Sequence, residues 1–499
     1  MTPTSLVARV ATRAPSYRVN PYRRTRIPTR SELHLMNRMG TGYTRATWAQ
    51  LRQAGGAAKW FDKQLSPGGI PESALAKAVD DWFPQRDHGP STRWQNHTAK
   101  RYEAWEYARD LGAYTMLKRM YSTRPLLETM VDFWSDHFHV KATGDLAWVF
   151  RDDYDKTIRR HALGRFDRLL EAVTLHPAMV IFLDNHLSVR DAPNENHGRE
   201  LLELHTVGRT SGYTEEMVKD SARILSGHTV DVRSSWRASY EAERHTMGPV
   251  QVLGFKAANL EPDGRELTAD YLRYLAHHPA TARTVARKLA TRFVSDTPSA
   301  GLVEHLASVF LRSGTDIGAT LRALVAHREF KASFGDKVRT PVDDLVHTAR
   351  VLGVTARRPK GASSFAITIA YAHGGDQLYS WPRPDGAPLH NAAWSSASRM
   401  LASFQMHWGL TGGWWPDEAV SYRSSRSWLP ERRIRFDRLV DHLCRVVHGR
   451  GSTPLLLKAA CQATDCSPGE VVTRDHPVAN WLFVRLMATL LDSPAHMTR

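Results

Sequence analysis

The sequence contains few cysteines, and their arrangement excludes two ways of stabilising a small fold. Only Cys444, Cys461 and Cys466 occur in 499 residues. An odd and sparse set cannot form a disulfide framework, and the spacing lacks the repeated CxxC pairs of a structural zinc site. The cysteine content therefore favours a reducing compartment, and we predict a cytoplasmic protein.

Long apolar runs are missing as well. The longest candidates, such as residues 178–183, are far shorter than the roughly 18 residues that a spanning helix needs. The apolar stretch at residues 5–11 is too short for a secretion signal and is interrupted by Arg9. We therefore expect a soluble protein with no membrane span and no export signal.

The chain has a net charge of +16, and part of this excess lies at the start, where no acidic residue occurs before Glu32. The early arginines alternate with prolines and are Arg9, Arg13, Arg18, Arg23, Arg24, Arg26 and Arg30. This stretch buries too little apolar surface to offset the entropy of ordering it. We predict a disordered basic arm over residues 1–30, which either is a solvated tail with no partner or makes weak, non-specific contacts with phosphates or an anionic membrane; nucleic acid is not expected as a specific partner.

Helical patterns dominate what remains, so we predict a mainly α fold, a multi-helix array with long irregular loops. Ser31 and Thr214 are suitable N-caps, and Pro125 suits a first helical turn. One β hairpin is predicted around residues 229–255, where Val230, Val232, Val250, Val252 and Phe255 alternate with polar residues. We predict a helical core domain over 31–335, a loop-rich helical extension over 336–430 and a C-terminal helical segment over 431–499 packed on the core.

The sequence has no phosphate-binding glycine loop, no GxSxG turn and no HExxH helix. Residues 194–208 hold several acidic side chains, and their arrangement follows from projecting the segment as a straight α-helix. Glu195, Glu200 and Glu203 fall with Arg199 in one arc of about 140°, whereas His205 lies on the opposite side. The segment thus presents a compact acidic face.

Inward-facing glutamates joined by histidine from neighbouring helices are how helical bundles hold divalent metals. We therefore predict His137 as the histidine partner and Asp184 as a further oxygen ligand. The predicted metal ligands are Glu195, Glu200, Glu203, His137 and Asp184, and the predicted catalytic residues are Glu200, Glu203 and His137. Two structural interpretations compete: an ion-pair network through Arg199, and a buried, aromatic-lined His137 bonded to backbone.

Several phrases of the sequence carry a family resemblance. They are HALGRF at 161–166, HPAM at 176–179, NEN at 194–196, RELLELHT at 199–206 and HPATA at 278–282. Together they resemble the bacterial family catalogued as domain of unknown function 1800, over about residues 33–497. The resemblance implies a predominantly helical fold, an unassigned reaction and a neighbouring partner protein. The family commonly has a histidine where Ser135 stands, and many of its members are exported.

Two hypotheses of function follow. The first is a metal-dependent enzyme, either a hydrolase or an oxidoreductase, with its site on the acidic helix and His137. The alternative is a non-catalytic binding or assembly protein that acts with a partner protein. In that case the acidic helix forms structural ion pairs, and the tryptophan-rich segment that includes Trp381, Trp414 and Trp415 contacts the partner.

Overall fold

The computed structural model describes residues 17–371 and 377–499, and within these ranges it contains 24 α-helices. The first twelve are α1 (Arg30–Met39), α2 (Arg45–Gln53), α3 (Ala57–Leu65), α4 (Ala74–Asp80), α5 (Pro90–Thr98), α6 (Ala104–Tyr121), α7 (Pro125–His137), α8 (Arg151–His161), α9 (Phe166–Thr174), α10 (Pro177–Phe182), α11 (Glu195–Glu200) and α12 (Glu215–Leu225).

The second twelve are α13 (Arg265–Ala276), α14 (Pro279–Phe293), α15 (Ala300–Arg312), α16 (Ile317–Ala326), α17 (Arg328–Ala332), α18 (Pro341–Leu352), α19 (Phe365–Thr368), α20 (Ala397–Gly412), α21 (Phe436–Val447), α22 (Pro454–Thr464), α23 (Phe483–Leu491) and α24 (Pro494–Met497). Among the described residues, no helix combines the length and the apolar character that crossing a membrane requires. The predicted mainly α fold is confirmed.

The β structure is confined to four antiparallel pairs of short strands. The strands are β1 (His228–Val230), β2 (Ala238–Tyr240), β3 (Val250–Val252), β4 (Phe255–Ala257), β5 (Thr355–Ala356), β6 (Val420–Ser421), β7 (Arg433–Arg435) and β8 (Val471–Thr473). β1 pairs with β2 and β3 with β4, so the predicted β region around 229–255 holds two adjacent hairpins. β5 pairs with β6 and β7 with β8, across longer stretches of chain.

Histidine caps several helices in this fold. The Nδ1 atoms of four histidines accept the backbone N–H two residues later, at 3.1–3.3 Å: His176, His278, His327 and His476. In three of them a proline follows, which suits the first helical turn because its missing N–H is not needed there. Elsewhere the caps are the usual hydroxyls: Thr214 accepts from Met217, and Thr29, rather than the predicted Ser31, caps α1.

The buried apolar residues form two large clusters. The first gathers side chains from Leu33 to Phe330, including the middle of α7 and α14. The second joins α18, α21 and α23 to α6, whose Met116 and Leu117 are fully buried. The second cluster therefore draws on helices far apart in sequence.

Residues 17–30 contact the C-terminal segment. The backbone N–H of Tyr22 donates to Asp441 at 2.7 Å, Thr25 bonds His442 at 2.7 Å, and Tyr22 is buried. This half of the predicted basic arm therefore lies against α21. The other half, residues 1–16, lies outside the described residues, and the predicted division into domains stays a prediction.

Candidate functional site

The acidic helix is not one straight α-helix. α11 ends at Glu200, and Leu201–His205 continue as a π-helix. The wider turn leaves Leu201 O to accept the hydroxyl of Thr206 at 2.6 Å. π-helical turns are rare and recur at functional sites. Side chains after Leu201 are therefore rotated relative to the straight projection used for the sequence.

The outer part of the acidic face forms ion pairs. Arg199 bonds Glu195 at 3.3 Å and Glu215 on α12 at 2.6 Å, and all three side chains are substantially exposed. Exposed pairs of this kind contribute little stability because water and salt screen them. Glu195 is thus engaged with Arg199 at the surface.

Glu200 and Glu203 lie closer to the interior. Glu203 accepts from Arg209 at 2.8 Å. Glu200 is half-buried, and its Oε2 atom has no hydrogen-bond partner among the described residues. Burial raises the pKa of Glu200, and the neighbouring Glu203 raises it further. Of the predicted carboxylates, Glu200 is the one with a buried oxygen that lacks a hydrogen-bond partner among the described residues.

Asp184 lies in a different setting. It has a left-handed backbone, with φ of 60°, where α10 gives way to a short 3₁₀ turn. Burial raises the pKa of Asp145 and lowers that of His186; the Asp184 carboxylate adds to the first shift and opposes the second, so both groups are its electrostatic neighbours. None of the interactions described for Asp184 is with the acidic helix.

His137 ends α7 in a buried aromatic cage. The ring stacks on Phe133 with centroids 6.4 Å apart and packs edge-on against Phe138 at 4.4 Å. Its Nε2 lies 3.1 Å from the carbonyl oxygen of His205. A carbonyl only accepts, so Nε2 carries the proton and Nδ1 is left as an acceptor.

Lys288 on α14 supplies the donor for that acceptor. Its Nζ lies 2.8 Å from Nδ1 of His137 and 3.2 Å from the carbonyl oxygen of Leu204 in the π-helix. Burial lowers the pKa of Lys288 to about 8, against the opposing effect of Asp385 and Asp136. Burial and the adjacent Lys288 lower the pKa of His137 well below its usual value, so the ring is neutral.

Both ring nitrogens of His137 are therefore engaged by the protein. A metal ion could reach this imidazole only if Lys288 or the π-helix moved away. The metal role predicted for His137 stays a prediction, and the structure adds a residue that the prediction did not include.

Lys288 and His137 line a cavity of about 660 Å³, which we call the Lys288 cavity. α7 contributes Phe133, Asp136 and His137, which are spaced to share one face, and α14 contributes Arg287, Lys288 and Thr291 in the same way. The volume is within the range of small-molecule sites. The pair thus faces a space large enough for a substrate.

The far wall of the Lys288 cavity is the loop 383–390. Gly386 holds it against α7: its φ is 71°, and a Cβ there would meet the carbonyl oxygen of Asp136 at 2.1 Å, so only glycine fits. His139 and Lys337 also bind this region, through the carbonyl oxygens of Trp381 and Leu389 at 3.0 and 2.8 Å. The loop is therefore a fixed wall.

Charged groups of both signs surround the cavity. Asp296 pairs with Lys337, and Arg383 pairs with Asp385 at 3.2 Å. Arg287 is exposed and has no ion pair among the described residues. Asp385 also raises the pKa of Glu200, so its carboxylate lies within electrostatic reach of both Glu200 and Lys288. The inner end of the acidic helix and the Lys288 cavity are therefore parts of one neighbourhood.

Two other groups in the described ranges have potential ligand atoms within 4.8 Å of one another, and neither contains a predicted ligand. In the first, Asp344, His407 and His496 are fully buried. His407 bridges two carboxylates, with Nε2 at 3.2 Å from Asp344 and Nδ1 at 2.7 Å from Asp492. His496 bonds the hydroxyl of Thr348 at 2.8 Å. We call these residues the buried histidine–aspartate network.

The state of His407 follows from its two partners. Burial lowers its pKa, but Asp344 and then Asp492 raise it to about 9, so the ring is a charged imidazolium. Arg399 approaches Asp344 at 3.5 Å. The imidazolium of His407 therefore occupies the position between the two carboxylates, and the negative charges are compensated by His407 and Arg399 without a metal ion.

The second group is Cys466, Glu470 and His476 near the end of α22. His476 is one of the capping histidines: its Nδ1 accepts from Val478 at 3.2 Å, and its Nε2 bonds Glu470 at 2.9 Å. A metal on Nε2 would require the proton to sit on Nδ1, and the cap would then be lost. The helix cap and the bond to Glu470 explain this geometry without an ion.

These observations define a mainly α-helical protein with a lysine–histidine pair at the wall of a substrate-sized cavity. The chain belongs to the family described as a protein of unknown function, DUF1800, whose model matches residues 34–498. No curated protein matches the chain, and no solved structure does. The resemblance read from the sequence over residues 33–497 is confirmed.

Proposed function

We propose that the protein is an enzyme that binds a small anionic molecule in the Lys288 cavity and moves protons to and from it. The observation that carries the proposal is the pair of contacts made by Nζ of Lys288, to His137 at 2.8 Å and Leu204 at 3.2 Å, at the wall of a cavity of about 660 Å³. These contacts fix the amine where a bound molecule would meet it.

Acid–base catalysis is most efficient when the pKa of the group lies near the working pH. An ordinary lysine fails this condition, but Lys288, with its pKa lowered to about 8, exists in both protonation states near neutrality. Perturbed groups in cavities are candidates for catalysis on this ground. The unpaired Arg287 supports an anionic substrate, because a carboxylate or phosphate would complete its charge.

The test uses the full chain and a set of small carboxylates and phosphate esters in D₂O, followed by NMR. We expect deuterium exchange or turnover of at least one compound, about 10²- to 10⁴-fold slower in Lys288→Met. Lys219→Met, on the exposed face of α12, serves as the matched control and should match the parent. Equal rates in Lys288→Met and the parent, or no exchange or turnover at all, would contradict the proposal.

A divalent metal is a further element of the proposal. It is supported by the uncommitted Oε2 atom of Glu200, with Glu203 and Asp385 close enough to shift its pKa, because hard cations favour such carboxylate oxygens. In this version the metal would polarise the substrate beside Lys288. Stoichiometric metal in purified protein, lost in Glu200→Gln, is the expected result. Absence of metal from the purified protein, together with an unchanged melting curve on chelation, would contradict the metal part of the proposal.

The alternative, a binding or assembly protein, is supported by exposed aromatic side chains at the end of α20. Trp408, Trp414 and Trp415 are 41–56% exposed, and Leu401 on the same helix is 66% exposed. Large exposed apolar groups that lie together commonly mark a protein interface. In this case Trp408→Ser with Trp415→Ser would abolish association with a partner protein, whereas Lys288→Met would leave it intact.

A further inference from the structure

Lys288 can do more than exchange protons, because its two contacts also orient the nitrogen lone pair. A neutral amine has two N–H bonds and one lone pair. Nδ1 of His137 and the carbonyl oxygen of Leu204 are both acceptors, so together they use both N–H bonds. The lone pair then points away from both acceptors. Because Lys288 lines the cavity, a molecule bound there is the group that the lone pair can meet.

We propose that Lys288 is a nucleophile that forms an imine with an oxo acid, a small molecule carrying both a carbonyl and a carboxylate. The inference rests on the proposed function, since it assigns the substrate class of the same cavity. Lysines held neutral by apolar surroundings or by neighbouring cations are the ones that react with carbonyl compounds. Phe133 lines the same cavity, and the His137 ring that Nζ contacts is itself packed against Phe133 and Phe138.

The step balances without an oxidant or reductant. The lone pair of Nζ attacks the carbonyl carbon, a C–N bond forms, and the electron pair of the C=O π bond moves to oxygen. Loss of water then gives C=N, so that both amine hydrogens leave with the former carbonyl oxygen. Nδ1 of His137 is positioned to take the first of these protons, since it already accepts a hydrogen bond from Nζ at 2.8 Å.

The carboxylate of the substrate has a partner in the same cavity. Arg287 precedes Lys288 on α14 and lines the cavity, and it lies one helical turn from Thr291. A guanidinium binds a carboxylate through two parallel N–H bonds, which fixes orientation as well as charge. Arg287 is therefore assigned as a positioning residue that presents the carbonyl to Lys288.

The experiment traps the imine by reduction. The full chain is incubated with pyruvate or glyoxylate and sodium cyanoborohydride, and the product is analysed by intact mass and peptide mapping. We expect a single reduced adduct on Lys288, at least tenfold slower in Arg287→Met. With acetone, which has no carboxylate, the adduct should form at least tenfold more slowly. The exposed Lys219→Arg should behave as the parent.

The peptide map of the parent chain decides the result even if a Lys288 variant folds poorly. Adducts spread over exposed lysines, with Lys288 unmodified, would overturn the inference. Exchange in D₂O that depends on Lys288 without any adduct on Lys288 would also overturn it while leaving the proposed function standing. An adduct on Lys288 without exchange or turnover would support the nucleophile and contradict the proton-transfer function.

Discussion

The Lys288 cavity and the buried histidine–aspartate network contain similar residue types but differ in whether their charged groups are compensated. In the network, His407 lies between Asp344 and Asp492, and none of its surface is exposed. In the cavity, His137 is neutral and contacts Lys288, which lines an open space. A cluster of histidines and charged residues therefore favours a structural role where the charges compensate one another. It favours a catalytic role where a titratable group lines a cavity.

The comparison predicts its largest effect for Asp344→Ala. The change leaves the imidazolium of His407 and the guanidinium of Arg399 buried without their shared carboxylate. Breaking a buried ion pair in this way lowers the free energy of unfolding by about 3–5 kcal/mol, measurable by urea unfolding. As the control, Asp270→Ala removes the exposed pair with Arg273 and should change it by less than about 0.5 kcal/mol. Similar values for the two variants would show that the network does not stabilise the fold.

The network should also give stability a distinct pH dependence. The pKa of His407 is about 9 in the folded chain, above the usual unfolded value of about 6.5. Its stabilisation is then fully present below pH 6.5 and is lost as the pH rises to 9. Relative to His407→Gln, the parent should lose about 2–3 kcal/mol of unfolding free energy between pH 6 and pH 10. A constant difference over this range would rule out the charged imidazolium.

Lys288 should show the opposite dependence. Its pKa of about 8 lies below the unfolded value of about 10.4, so protonation costs stability below pH 8 and the cost disappears as the pH rises to 10.4. Relative to Lys288→Met, the parent should gain about 2–2.5 kcal/mol of unfolding free energy between pH 7 and pH 10. Thermal or urea unfolding at both values tests this, and a constant difference or a loss over the range would mean that burial does not lower the pKa of the amine.

The smallest effect is expected at the surface of the acidic helix. Arg199→Met breaks the ion pairs with Glu195 and Glu215, and the side chains of both glutamates are exposed. The free energy of unfolding should change by less than about 0.5 kcal/mol, and reactions in the Lys288 cavity should be unaffected. A large loss of activity in this variant would extend the site outward to Glu195.

α14 illustrates how far the sequence reaches. Its apolar stripe of Val285, Leu289 and Phe293 is evident from spacing and is fully buried. The same periodicity predicts a solvated basic face made of Arg283, Arg287, Lys288 and Arg292. Arg283 does lie at the surface, but Arg292 is buried against Asp132 at 2.8 Å and Lys288 lies against His137. The spacing of the residues predicts which side chains share a face of the helix. The packing of the neighbouring helix determines whether that face is exposed to solvent.

The candidate site shows the same limit. Glu200 and His137 stood out in the sequence for their residue types, and both lie near the Lys288 cavity. Lys288 did not stand out, because its partner is 151 positions away along the chain. The π-helix that brings the carbonyl oxygen of Leu204 to Nζ has no distinctive local composition.

The sequence by itself determined the mainly α fold, the family and the helix starts at Pro125 and after Thr214, because caps, prolines and apolar periodicity act between residues a few positions apart. Tertiary structure decided which charges are compensated, how the loop at 383–390 closes a cavity, and which lysine lies beside a neutral histidine. These properties depend on burial and on contacts between distant helices, and burial is what turns an ordinary lysine into a reactive one.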